Sequence, residues 1–110
     1  MTPIAESTVA ERLSLREQDV EIVREVLTKV IPGRTVYAFG SRAKGNKVKQ
    51  FSDLDLALHG ELTWFERASL TEEFDESLLP IKVDVVELGL VDADFRERIE
   101  KDFVVVQKSV

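Results

Sequence analysis

Three short segments rich in β-branched and apolar residues alternate with longer segments in which apolar residues recur at helical spacing. This alternation limits the fold more than any other feature of the sequence, because strands separated by helices indicate an α/β domain of two or three layers. The length of 110 residues is close to the commonest domain size and suits one core. We therefore predict a single α/β domain over residues 1–110.

Local signals set the expected limits of the elements. Ser14 and Glu17 have the spacing of a capping box at the start of the first long helix, and Pro32 ends that helix. Asp92 is placed to cap the last helix. The predicted strands are residues 35–39, 54–59 and 82–88, and the predicted helices are 14–31, 63–79 and 92–101, with a short preceding helix over 4–13 and an apolar tail segment over 103–107.

Composition excludes several classes of protein. The chain has no cysteine, so it forms neither disulfides nor thiolate metal sites, and its one histidine, His59, excludes an all-histidine zinc site. We expect His59 to be a surface or hydrogen-bonded histidine. No run approaches the roughly 20 apolar residues of a membrane span, and residues 1–10 lack the basic residues of a secretory signal. We therefore predict a cytoplasmic protein that does not bind the membrane. The net charge of −6 opposes nucleic-acid binding, so we expect no nucleic-acid partner either.

Gly40 and Ser41 directly follow the first predicted strand, where a turn presents backbone N–H groups that favour phosphate oxygens. Glycine allows close approach of a ligand because it has no Cβ. Arg42 and Lys44 lie close by and could offset the charge of a triphosphate. A Gly-Ser pair alone is much more often an ordinary strand-ending turn.

Asp53 and Asp55 begin the second strand, and side chains two residues apart on a strand share a face. Two adjacent carboxylates repel each other unless a cation lies between them, and oxygen donors suit Mg²⁺ or Mn²⁺. Asp92 and Asp94 have the same spacing, but they lie at a helix start, where acids stabilise the helix dipole. We therefore expect a structural role for that second pair.

Asp84 lies inside the third strand, with Val83 and Val85 on its opposite face. A carboxylate buried in a central strand is costly without a compensating partner, although an ion pair or a solvent-facing edge position would also explain it. Three carboxylates from two strands directed towards one sheet face are harder to attribute to chance. Together with the Gly-Ser turn they predict a site for metal ions and a triphosphate.

These residues carry a family resemblance. Gly40-Ser41-Arg42-Ala43-Lys44-Gly45, Ser52-Asp53-Leu54-Asp55-Leu56-Ala57 and Val83-Asp84-Val85-Val86 resemble the minimal nucleotidyltransferases of the DNA polymerase β superfamily, and the similarity extends over nearly the whole chain. The resemblance implies a small mixed sheet flanked by helices, with ATP as substrate and Asp53, Asp55 and Asp84 as catalytic carboxylates holding two Mg²⁺ or Mn²⁺ ions. It also implies that Gly40, Ser41, Arg42 and Lys44 bind the nucleotide.

The resemblance further implies a partner. Proteins of this family are encoded with small all-helical HEPN proteins, many of them ribonuclease toxins, and the better-understood members act as antitoxins by transferring AMP to that partner. A chain this short has little surface for a deep acceptor pocket, which also favours a homodimer or a hetero-oligomer. Transfer to a small molecule such as an aminoglycoside is less favoured, because the chain has no second domain to enclose it.

A different class of function is a binding module that covers its partner and keeps only a vestigial nucleotide site. Trp64, Phe65 and Phe74 would then be exposed, although apolar helix residues are more often part of the core. The nearby acidic residues are most simply the solvated face of a helix; they are Glu72, Glu73, Asp75 and Glu76.

Overall fold

The computed structural model of the chain describes residues 8–45, 48–49 and 51–109. Its helices are α1 (Val9–Leu13), α2 (Glu17–Val30), α3 (Gly40–Lys44), α4 (Trp64–Glu76) and α5 (Ala93–Glu100), and its strands are β1 (Val36–Phe39), β2 (Leu54–Leu58), β3 (Val83–Glu87) and β4 (Val104–Gln107), with a single 3-10 turn at Leu88–Leu90. None of the helices in these ranges combines the length and the apolarity that crossing a bilayer requires.

The strands form one mixed sheet in the order β3-β2-β1-β4. β2 and β3 run parallel, whereas β1 is antiparallel to both β2 and β4. A mixed sheet with flanking helices confirms the predicted fold class. The sequence identified residues 103–107 only as an apolar tail, and their pairing with β1 makes them a fourth strand at one edge of the sheet.

The two faces of the sheet bury different cores. On one face, alternate leucines of β2 pack with α1, α2 and α4 in the larger core; those leucines are Leu54, Leu56 and Leu58. On the other face, a smaller core packs α5 against the sheet; its buried members are Phe39, Ala57, Leu88 and Ile99. The site described below lies on this second face.

The predicted capping box at Ser14 is wrong. Ser14 adopts a left-handed conformation with φ of 54° and ends α1, and its N–H is bonded to carbonyls of that helix. α2 begins later, at Glu17, with Arg16 as its N-terminal flanking residue. The two predicted helices are present, but α2 begins three residues later than predicted, and residues 4–7 of the predicted first helix lie outside the described ranges.

Other local predictions are confirmed. Asp92 caps α5, accepting a hydrogen bond of 2.8 Å from the N–H of Phe95. His59 is an exposed, hydrogen-bonding histidine, with ring nitrogens 3.4 Å from the hydroxyl of Tyr37 and 3.3 Å from the guanidinium of Arg96. The helix expected over residues 63–79 is shorter, because the hydroxyl of Ser77 donates to the carbonyl of Phe74 at its end.

Candidate active site

Asp55 and Asp84 lie side by side near the heads of two neighbouring strands. They are register partners in the parallel pair of β2 and β3, so both project from the face that carries the smaller core. Asp53 is exposed immediately before β2 and two residues from Asp55. The structure therefore brings together carboxylates that are 29 positions apart along the chain.

The charges of these residues act on one another. Burial raises the pKa of Asp55, and the negative charges of Asp84 and Asp53 raise it further. A carboxylate that is disfavoured in its ionised form by both burial and like charge gains strongly from a nearby cation. The electrostatics of this point of the sheet thus favour a bound positive charge.

The donor chemistry fits a hard divalent cation, because carboxylate oxygens are the ligands that Mg²⁺ and Mn²⁺ prefer. In the described part of the chain, no three acidic or histidine side chains are arranged to hold a metal ion as they stand. Asp84 instead has the ammonium of Lys82 3.5 Å from its Oδ1, and its side chain is 45% exposed. An ion bound between Asp55 and Asp84 would replace Lys82 as the cation next to Asp84.

The position of Asp84 corrects one step of the sequence argument. β3 is an edge strand, not a central one, and Asp84 has both the ion pair and the partial exposure that were alternative explanations for it. The cost of burying a charge is therefore not evidence that Asp84 belongs to a functional site. Its pairing with Asp55 is such evidence, because the two carboxylates lie side by side and the ion pair with Lys82 only partly neutralises them.

Gly40 lies against Asp55, at the point where β1 enters α3. Its φ is 77°, and a Cβ built on it would lie 2.5 Å from Oδ2 of Asp55. Ser41 follows in the first turn of the helix and is exposed. The sequence attributed this glycine to the approach of a ligand, but the structure shows that the carboxylate of Asp55 occupies the space a side chain would need.

Arg42 is turned away from this site. It is 1% exposed, and its guanidinium donates to the carbonyl oxygens of Ser52 (2.9 Å), Ser14 (2.8 Å), Leu13 (3.1 Å) and Lys49 (3.4 Å). These contacts tie α3 to the end of α1 and to the segment before β2. The expected triphosphate contact of Arg42 does not fit this burial, so a structural role replaces it.

Lys44 is the lysine that the sequence predicted to bind the nucleotide. Lys44 is exposed, and its Nζ lies 3.8 Å from Oδ2 of Asp102. It remains a candidate for contact with a polyanion, because a surface ion pair of this length is weak. Lys47, three residues further along the chain, lies outside the described residues.

Removing the charge of Asp55 is expected to raise the stability of the metal-free protein by a few degrees in Tm at neutral pH. Because the pKa of Asp55 is raised on folding, stability is lost as pH rises from the ordinary value of 3.8 through the raised pKa, and Asp55→Asn avoids that loss. Thermal unfolding in a chelating buffer at several pH values measures this. An equal or lower Tm for Asp55→Asn at neutral pH would contradict it. Asp94→Asn is the control, because Asp94 lies in the first turn of α5, where its charge favours the helix.

Comparison with known proteins places this arrangement in a family. The sequence model described as "Polymerase beta, Nucleotidyltransferase" matches residues 15–109, a span that includes the four strands and all three carboxylates. The chain belongs to this nucleotidyltransferase family. The predicted resemblance is therefore confirmed.

Individual known proteins give a finer comparison. The Haemophilus influenzae protein named "Probable protein adenylyltransferase MntA" is 43% identical over 99 residues, which is 88% of this chain and 86% of that protein. A toxin-antitoxin crystal structure with AMP-PNP matches with a TM-score of 0.64 and 22% identity, covering 82% of this chain and 73% of that chain. A tri-AMPylated Shewanella oneidensis HEPN toxin in complex with MNT antitoxin matches with a TM-score of 0.61 and 20% identity, covering 84% and 72% respectively. At these identities the structural matches establish the fold.

Proposed function

We propose that the chain transfers AMP from ATP to a hydroxyl group of a HEPN partner protein. The observation that carries this proposal is the pairing of Asp55 with Asp84 beside the Gly40 turn. The 43% identical relative named as a protein adenylyltransferase supports AMP as the transferred group. The complexes of toxins with antitoxins, one with AMP-PNP and one with an AMPylated HEPN toxin, support the class of acceptor.

The reaction forms a bond between the acceptor oxygen and the α-phosphorus of ATP and breaks the bond from that phosphorus to pyrophosphate. Asp53, Asp55 and Asp84 would hold two Mg²⁺ or Mn²⁺ ions, which supply positive charge at the phosphates. Asp84 takes the acceptor proton, because its partly exposed side chain is open to another protein. Gly40 and Ser41 bind the β- and γ-phosphates through their N–H groups and the Ser41 hydroxyl, and Lys44 offsets the triphosphate charge.

The proposed setting is the cytoplasm, which supplies ATP and Mg²⁺. Since the acceptor hydroxyl belongs to another chain, transfer requires a hetero-oligomer at least for the duration of the reaction. We propose that residues 1–110 act in it as one nucleotidyltransferase domain.

A non-catalytic binding module is the second candidate, and one observation favours it. Trp64 is 78% exposed and Phe65 is 72% exposed, whereas the sequence predicted both for the core; of the three aromatic residues considered there, only Phe74 packs against the core. Exposed aromatic residues are typical of protein interfaces. They suit a module that inhibits by binding, but they suit an enzyme with a protein substrate equally well.

Intact-mass measurement of the HEPN partner separates the two candidates. The purified partner is incubated with this chain, with and without ATP and Mg²⁺, and its mass and its activity are followed together. Transfer predicts a gain of one or more AMP units that needs both ATP and Mg²⁺. Inhibition without ATP, and with no gain in mass when ATP is present, would contradict transfer and support the module.

Gly40→Ala is expected to reduce AMP transfer by about 100-fold, the effect of displacing a catalytic group by about 1 Å. The added Cβ forces Oδ2 of Asp55 out of its position. Gly33→Ala is the matched control, because Gly33 also has a positive φ of 81° but nothing lies within 4 Å of the place where its Cβ would be. Both variants carry similar backbone strain, so equal transfer rates in the two would contradict the role given to Gly40.

A further inference from the structure

Two aromatic side chains project outward from the first turn of α4. Trp64 and Phe65 are both largely exposed, and the outer surface of α4 continues from them to the end of the helix without burial against the rest of the described chain. Leu90 is exposed in the 3-10 turn whose Gly89 N–H donates to the carbonyl of Gly60, 2.9 Å away, just before this helix. Several large apolar residues exposed near one another mark an interaction surface more often than a single exposed apolar residue does.

The structure holds this turn rigidly in place. Thr63 and Glu66 form a reciprocal capping box, with hydrogen bonds of 3.1 and 2.8 Å. Arg67 donates to the buried carboxylate of Glu87 at 2.9 Å, and Glu87 also accepts from the N–H of Leu62. Because the backbone of this turn is already ordered, a partner that covers Trp64 has to order only its side chain, which lowers the entropic cost of binding.

The other end of α4 is strongly acidic. Glu72, Asp75 and Glu76 are exposed there, and within the described ranges none of them has an ion-pair partner within 4.0 Å. Glu73 alone is paired, with Lys29 at 2.8 Å, and the last turn contains no basic residue. Acids at a helix C-terminus repel the negative end of its dipole, and Lys29 acts on Glu72 and Glu76 only from beyond 4.0 Å, so a further cation from a partner would stabilise this end of the helix.

The indole and the acids lie along one open face of α4. This face runs from Trp64 past Arg67, Ala68 and Thr71 to the three exposed acids. An apolar anchor at one end and concentrated negative charge at the other specify a partner with an apolar pocket beside a row of lysine or arginine residues. Complementary charges of this kind direct association and set its orientation.

We propose that this outer face of α4 is the surface on which the acceptor protein docks through a basic region, with Trp64 as the anchor. The proposal rests on the proposed function, because it assigns the binding place of the HEPN partner. α4 packs on the face of the sheet opposite Asp55, and Trp64 follows the end of β2 whereas Asp55 lies near its start. A partner that docks on α4 must therefore extend around the edge strand β3 to present its hydroxyl to the carboxylates.

Trp64→Ala tests the anchor. Affinity for the purified HEPN partner, measured by calorimetry without ATP, is expected to fall by about 30-fold or more, as for an interface hot spot. AMP transfer at saturating partner should keep its kcat while KM for the partner rises. Tm should not change, because the indole is exposed. Wild-type affinity in Trp64→Ala overturns the proposal, as does light scattering that shows a wild-type homodimer and a Trp64→Ala monomer.

Charge reversal tests the class of partner. Replacing Glu72, Asp75 and Glu76 together by lysine should slow association and remove its salt dependence. The matched control reverses three exposed acids on α1 and α2, Glu11, Glu17 and Glu21, and should leave association unchanged. Equal effects of the two triple variants overturn the acidic docking surface. A wild-type chain that binds the partner through α4 but adds no AMP to it contradicts only the proposed function and supports the docking surface.

Discussion

Replacing Asp55 by asparagine is expected to reduce AMP transfer by about 1,000-fold or more while the chain stays folded. Asparagine keeps the size of the side chain but removes its negative charge, which lies close to the charges of Asp84 and Asp53. A divalent cation bound between β2 and β3 would therefore lose one charged ligand. Quantifying AMP on the HEPN partner at a fixed time, with each variant, measures the effect.

The sequence contains a matched control for this experiment. Asp53→Asn/Asp55→Asn and Asp92→Asn/Asp94→Asn change the same Asp-x-Asp spacing and the same charge, but only the first pair lies at the candidate site. Asparagine at position 92 also remains a good helix cap. Normal transfer by Asp53→Asn/Asp55→Asn, or equal loss in both double variants, would contradict the assignment of the carboxylates.

Replacing Arg42 by alanine is expected to cost about 3–5 kcal/mol of folding free energy. The change empties the space of a long, fully buried side chain and removes donors from four backbone carbonyls that bring distant segments together. Because a domain of this kind has only about 5–15 kcal/mol of stability, much of the protein should be unfolded or insoluble. Urea denaturation followed by circular dichroism measures the loss.

Two further variants identify the cause of that loss. Arg42→Lys keeps a positive charge but lacks the forked guanidinium, so most of the stability should still be lost. Lys44→Ala removes a neighbouring exposed cation and should change stability by less than about 0.5 kcal/mol. Wild-type stability of Arg42→Ala, combined with weaker ATP binding, would contradict the structural role and restore the phosphate contact expected from the sequence.

The strands and their carboxylates were predictable because their signals are local. A β-branched run bounded by glycine, a pair of acids two residues apart and an acid among valines each lie within a few residues. Period-two alternation then fixes which side chains share a face. The position of β3 at the sheet edge was not predictable in this way, because strand order depends on pairing between distant segments.

The features that the sequence did not predict depend on nonlocal contacts. Arg42 lies close to Lys44 in the sequence, but its guanidinium donates to the carbonyls of Leu13 and Ser14, 29 and 28 residues away. β4 becomes a strand by pairing with β1 across most of the chain. The apolar residues of α4 do not form a single stripe, so only the packing shows that Trp64 faces outward while Leu70 is buried.

Manganese binding in the presence of AMP-PNP tests the central claim most directly, because it measures the ion site without requiring a partner. Electron paramagnetic resonance of the wild type should show two bound Mn²⁺ ions per chain, and Asp92→Asn/Asp94→Asn should bind the same number. Asp55→Asn should lose most of this binding. Binding of Mn²⁺ by Asp55→Asn with wild-type number and affinity would show that the carboxylates of β2 and β3 are not the metal site.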